Sequence, residues 1–152
     1  MTIVSISSGI RKATILDASS IYAMLLQMHD EIQFDVGEVN LKKLSECVLT
    51  VINNGVALVA MDNQTIVGSI GGVYTTEWWS DEQVLGDLWF YVYKDHRSSK
   101  AGIGLIRQFL ESGRNMKMKL GHIYNGDLTR KDKFYERLGL QKAGSVYVME
   151  NK

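Results

Sequence analysis

Proline is absent from the 152-residue sequence, so the 14 glycines, with Asn and Asp, must make its turns. Cysteine occurs once, at Cys47, which excludes an intrachain disulfide. A free cysteine usually behaves as a small packing residue, and no neighbouring base makes Cys47 a nucleophile. Charge of one sign is missing as well: 17 Lys and Arg balance 17 Asp and Glu. Without a net positive field, nucleic acid is disfavoured as the main partner. No apolar run approaches the ~20 residues of a membrane span, so no membrane partner is expected. The opening MTIVSISSGIRKAT is interrupted by Ser and Gly, with no basic region before its apolar fragment, and does not read as a signal peptide. A cytoplasmic location is the expectation. His29, His96 and His122 are scattered, no pair has metal-ligand spacing, and no metal is expected.

What remains is an ordinary globular mixture, 45% apolar and 22% charged. Residues 1–152 fit a single domain, long enough to bury roughly 70% of its unfolded surface. No repeat, linker or low-complexity stretch divides it.

Periodicity supplies the elements. Ile10 to Thr14 is a short strand candidate, and Asp17 is placed to cap a helix. Ile21, Met24, Leu25, Met28 and Ile32 then recur at helical spacing, and His29 to Glu38 reads as an acidic loop broken by Gly37. A second helix from about Asn40 carries Leu41, Leu44, Val48, Val51 and Ile52 and stops at Asn53-Asn54-Gly55. Val56 to Met61 is a strand, Asp62-Asn63-Gln64 a hairpin turn, and Thr65 to Tyr74 the returning partner. Gly68, Gly71 and Gly72 in that partner mark a bulge or a close backbone approach. Trp78 and Trp79 lie in the next loop, where one could line an acceptor cleft or a dimer interface, or cover the core as a lid. Val84 to Tyr93 is the central strand and Ala101 to about Gly113 the third helix. Lys119 to Tyr124 reads as a strand, Thr129 to Leu138 as a helix stopped by Gly139, and Val146 to Glu150 as a closing strand. The order β-α-α-β-β-β-α-β-α-β gives a mixed α/β class.

The chain is organised around DLWFYVYKDHRSSKAGIGLIRQFL, from Asp87 to Leu110. A buried strand, a tight polar loop and an amphipathic helix follow one another there. A helix that starts straight from such a loop presents unpaired N–H groups and the positive end of its dipole, a seat for a phosphate or pyrophosphate. A plain loop-to-helix junction capped by Ser98 or Ser99 is the alternative.

Two motifs and the order of elements resemble the GNAT superfamily of N-acetyltransferases, across the whole chain and most closely its small phage and bacterial members. Val92-Tyr93-Lys94-Asp95-His96-Arg97-Ser98-Ser99-Lys100-Ala101-Gly102 is similar to the V-x-P-x-x-R-x-x-G-x-G/A signature, with Lys94 at the proline and Lys100 at the first glycine. Phe134-Tyr135-Glu136-Arg137-Leu138-Gly139-Leu140 is similar to the family's FYEKLGF. Where many members carry an Asn, about seven residues before the tyrosine, this chain has Leu128, and Asn125 is the nearest Asn.

The resemblance implies a mostly antiparallel sheet whose fourth and fifth strands splay apart, flanked by helices, and acetyl-CoA as cosubstrate. Pantetheine would lie along Tyr91, Val92 and Tyr93. The pyrophosphate would sit over Arg97, Ser98, Ser99, Lys100, Ala101, Gly102 and Ile103, with Asn125 as a further contact. Tyr135 matches the general acid at the leaving sulfur, although Phe134, Tyr135 and Leu138 also make a core stripe. Asp87 takes the place of a catalytic Glu in the histone acetyltransferase branch, or is a solvated strand-end aspartate; Asp81 and Glu82 are weaker candidates. Asp30, Glu31, Asp35 and Glu38 could attract a cationic acceptor, or form a solvated charge cluster. The implied activity is acetyl transfer to an amine of a small molecule or protein, with a homodimer as the analogous assembly. The rival is a GNAT-fold binding protein that keeps coenzyme A binding or only the fold.

Overall fold

The computed structural model of the protein describes residues 9–121 and 128–149. Among these residues, five strands form one sheet in the order β1-β2-β3-β4-β5: Gly9–Lys12, Val56–Asp62, Thr65–Thr76, Gln83–Val92 and Lys117–Lys119. The first four pair antiparallel and β5 pairs parallel with β4. Helices α1 (Ala18–Glu31) and α2 (Leu41–Asn54) cover one face, α3 (Ala101–Ser112) covers the other, and α4 (Leu128–Arg137) follows β5.

Each face carries its own core. Val59 and Trp89 pack with Ile21, Leu25, Val48 and Val51 beneath α1 and α2. Leu58, Ile70, Leu85 and Val92 pack with Leu105 and Phe109 of α3. Cys47 is partly buried against the first of these clusters. A buried polar knot in the sheet is satisfied: Trp89 Nε1 donates to Ser69 Oγ at 2.9 Å, and Ser69 Oγ donates to the Leu58 carbonyl at 2.8 Å.

Local chemistry explains several element ends. The Asn40 side chain caps α2 by accepting from the Lys43 N–H at 2.9 Å. Asn63, at φ 58°, makes the β2–β3 turn. Asp17 stands at the N-cap of α1 but does not cap it with its side chain. Its carboxylate turns back to the Thr14 N–H at 2.7 Å and to Arg11 at 2.7 and 2.9 Å, and the Arg11 hydrogen bond holds its pKa below the usual range.

Three expectations are corrected. Helix α1 continues through His29, Asp30 and Glu31, which the acidic composition had assigned to a loop; Ile32, already extended at ψ 129°, ends it. Strand β5 is Lys117–Lys119 rather than Lys119 to Tyr124, because it takes its register from Val84–Gly86 of β4. Lys119 to Glu77 at 2.7 Å and Lys117 to Glu82 at 3.7 Å hold it there; His122 to Tyr124 lie outside the described residues. Val146 to Met149 form no strand and are exposed, Tyr147 at 92%.

Candidate active site

The site forms where β4 parts from β5 while it stays paired with β3. Gly71 pairs with Trp89 and Gly72 with Asp87, so Leu88 is an extra residue on β4, a bulge. The glycines permit it: a Cβ on Gly71 would sit 2.3 Å from Trp89 Cζ2, and one on Gly72 would sit 2.6 Å from the Gly86 carbonyl oxygen. The β4–β5 ladder stops at Gly86 and Lys119. Beyond it lies a cavity of about 860 Å³. Its walls include Asp87 to Val92 of β4, Gly121 after β5, the start of α3, Met28 and Glu31 of α1, and Phe134 and Tyr135 of α4.

Asp87 and Tyr135, far apart in sequence, share this cavity. Asp87 is half-buried and accepts from the Gly121 N–H at 3.0 Å. Burial pushes its carboxyl up to about 6, against the downward pull of that hydrogen bond. Burial raises the Tyr135 phenol above its ordinary value, and the negative charge of Asp87 raises it further. The pair therefore combines a carboxylate more basic than usual with a phenol that keeps its proton.

The loop after β4 spends most of its groups on itself. The Tyr93 N–H continues the ladder to the Val67 carbonyl at 2.9 Å, and the Tyr93 carbonyl accepts from the His96 N–H at 2.8 Å. Ser99 Oγ accepts from the Ala101 N–H at 3.2 Å, a short cap. The first helical bond of α3 runs from the Gly104 N–H to the Lys100 carbonyl at 3.0 Å, which leaves the Gly102 and Ile103 N–H groups ahead of the ladder. Lys100 stands at φ −80°, ψ 2°, open to any residue, so the missing glycine of the motif costs no backbone strain.

Arg97 is engaged by protein groups. Its Nη2 meets Glu31 Oε1 at 2.7 Å, its Nε donates to the Val92 carbonyl at 2.8 Å, and its guanidinium lies 5.1 Å from the Tyr91 ring centroid. The Tyr91 hydroxyl also donates to Glu31. Glu31, Tyr91 and Arg97 form a partition between the cleft and a second cavity of about 650 Å³, which Tyr93, Lys94 and His96 line. Periodicity alone could not join Glu31 to partners 60 and 66 residues away.

Of the sequence candidates, Asp87, Tyr91, Val92, Arg97, Ser99, Gly102, Ile103 and Tyr135 line the main cleft. Ser98 and Lys100 are exposed, and Ala101 lies behind the cap at the head of α3. Asn125 lies outside the described residues. Trp78 and Trp79 pack edge to face at 5.1 Å, 91% and 66% exposed, so they neither cover the core nor border the cleft. Asp81 and Glu82 are exposed on the β3–β4 connection. Arg130 and Lys131 of α4 line the cleft without having been singled out by any motif. Among the described residues, no three His, Cys, Asp or Glu side chains are grouped to hold a metal, and no helix is long and apolar enough to cross a membrane.

Comparison with known proteins agrees with this architecture. A predicted acetyltransferase from Clostridium acetobutylicum, solved with acetyl-CoA, superposes with a TM-score of 0.72 at 16% identity, over 93% of this chain and 95% of that one. A possible acetyltransferase from Clostridium difficile 630 gives 0.70 at 17% identity, over 94% and 96%. A ribosomal-protein-alanine N-acetyltransferase from Brucella melitensis biovar Abortus 2308 gives 0.67 at 17%, over 95% and 99%. No curated protein sequence matches significantly. These likenesses establish the fold, and the Acetyltransferase (GNAT) family model matches residues 22–140. The chain belongs to the GNAT acetyltransferase family.

Proposed function

We propose that the protein transfers the acetyl group of acetyl-CoA to a primary amine of a small molecule or protein by direct attack in a ternary complex. The observation that carries this reading is the meeting of Asp87 and Tyr135 in one cleft, beside the bulge of β4 and the N-terminus of α3.

The chemistry follows from the groups present. An alkylammonium has a pKa near ~10.4 and must lose a proton before it can attack. Asp87, directly or through water, is the base; with a pKa of about 6 it is ionised at neutral pH yet more basic than an exposed aspartate. N–H groups of the bulged strand polarise the thioester carbonyl. The nitrogen forms a C–N bond as the C–S bond breaks. The Tyr135 hydroxyl hydrogen-bonds the departing sulfur and relays to it the second proton that the nitrogen gives up, while Asp87 passes the first to solvent, so the products are an amide, a thiol and one released proton. Tyr91 and Val92 line the path for pantetheine, and the Gly102 and Ile103 N–H groups face the pyrophosphate.

Thermal denaturation with and without acetyl-CoA tests donor use. Ligand at 100 times its Kd is expected to stabilise the protein by about 2.7 kcal/mol. An unchanged transition at millimolar acetyl-CoA would falsify the reading.

A further inference from the structure

The main cleft has two sides, and a donor seated at the head of α3 takes one of them. Val92 packs with the core beneath α3, and Gly102 and Ile103 belong to that helix, so the donor lies over the α3 face of the sheet. The amine must then reach the thioester from elsewhere along the cleft. Helix α1 packs on the opposite face and walls that part with Met28 and Glu31, followed by Ile32 at its end. Leu88, the extra residue of the bulge, stands beside Asp87 and lines the same cleft.

Carboxylates are scarce there. Among the described residues that line the cleft, the acids are Glu31 and Asp87. Glu31 is held by Arg97 at 2.7 Å and by the Tyr91 hydroxyl, so its charge is already matched. Asp87 serves the amine that reacts. Asp30, Asp35 and Glu38, the rest of the acidic stretch, are exposed and do not line the cleft. The body of the acceptor therefore meets Met28, Ile32 and Leu88, the first two half-buried and Leu88 50% exposed. An apolar chain or ring gains by covering these side chains. A second ammonium placed there loses hydration with no carboxylate to replace it.

We propose that the acceptor is a small monoamine whose primary amine is borne on an apolar chain or ring seated against Met28, Ile32 and Leu88, and that polyamines are poor acceptors. This rests on the acetyl-transfer reading above. The test compares hexylamine with cadaverine, which matches it in non-hydrogen atoms but carries a second ammonium in place of the terminal methyl. Thiol release from acetyl-CoA should give a kcat/KM at least about tenfold higher for hexylamine. Leu88→Glu and Ile32→Glu each bring a carboxylate to that wall, and each should narrow the ratio about two- to fivefold, the size of one exposed ion pair. Both amines meet the same enzyme sample, so a loss of folded protein leaves the ratio where it was. Cadaverine equal to or better than hexylamine in the wild type, or a ratio unmoved in both variants, overturns the inference. So does a wild type that binds acetyl-CoA but releases no thiol to either amine. A wild type that neither binds acetyl-CoA nor releases thiol overturns the acetyl-transfer reading itself, and this inference with it.

Discussion

The Glu31 carboxylate, at the end of α1, holds the Arg97 guanidinium at 2.7 Å and accepts the Tyr91 hydroxyl. An acid in the last turn of a helix faces the negative end of its dipole, and the two donors offset that penalty. Burial alone would raise the Glu31 carboxyl, but the bonds from Tyr91 and Arg97 outweigh it and leave the pKa below the usual range. Tyr91 is pushed up to about 12, first by burial and then by Glu31. Glu31→Ala should therefore bring the Tyr91 pKa part of the way back toward 10 and cost about 1 kcal/mol of stability. Phenolate absorbance, with Tyr91→Phe as reference, reads the shift. An unmoved titration contradicts the pairing.

Asp87 makes stability depend on pH in the direction opposite to a salt-bridged acid. Its folded pKa of about 6 lies above the ordinary 3.8, so between those values the folded protein holds a proton that the unfolded chain has released. Stability then falls as pH rises through that window. Asp87→Asn should flatten the curve and stabilise the protein at neutral pH by roughly 1–2 kcal/mol. Melting temperature against pH decides it; identical curves for variant and wild type would refute burial as the cause.

Gly71 leaves room for the Trp89 ring, and a Cβ there would lie 2.3 Å from it. Gly71→Ala should cost about 1–3 kcal/mol by overpacking and disturb the bulge at Leu88. Denaturant unfolding gives the loss, and acetyl-CoA affinity should weaken with it. A variant as stable as the wild type would mean the sheet can give at that point.

Much of this was legible where local patterning decides. Asn40 announced the start of α2, and the glycines within β3 announced the bulge that shapes the cleft. The loop from Val92 to Gly102 and the tyrosine of FYERLGL carried the family. What stayed hidden depends on partners distant in sequence. Glu31 looked like one charge in an acidic loop because Tyr91 and Arg97 lie 60 and 66 residues on. The register of β5 is set by Val84–Gly86 rather than by its own apolar residues. Arg130 and Lys131 belong to no motif; only the course of α4 along the cleft brings them to it.

Thiol release from acetyl-CoA against a panel of primary amines, followed over pH in wild type, Asp87→Asn and Tyr135→Phe, tests the central claim most directly. The wild type should release thiol only when an amine is present, with kcat/KM for acetyl-CoA rising through a pKa near 6. Asp87→Asn should lose that limb and about 10²–10⁴-fold in rate. Tyr135→Phe should bind acetyl-CoA as before and turn over at least about tenfold more slowly. Amine-dependent release that proceeds at the wild-type rate in both variants would contradict the assignment of this cleft as the catalytic centre.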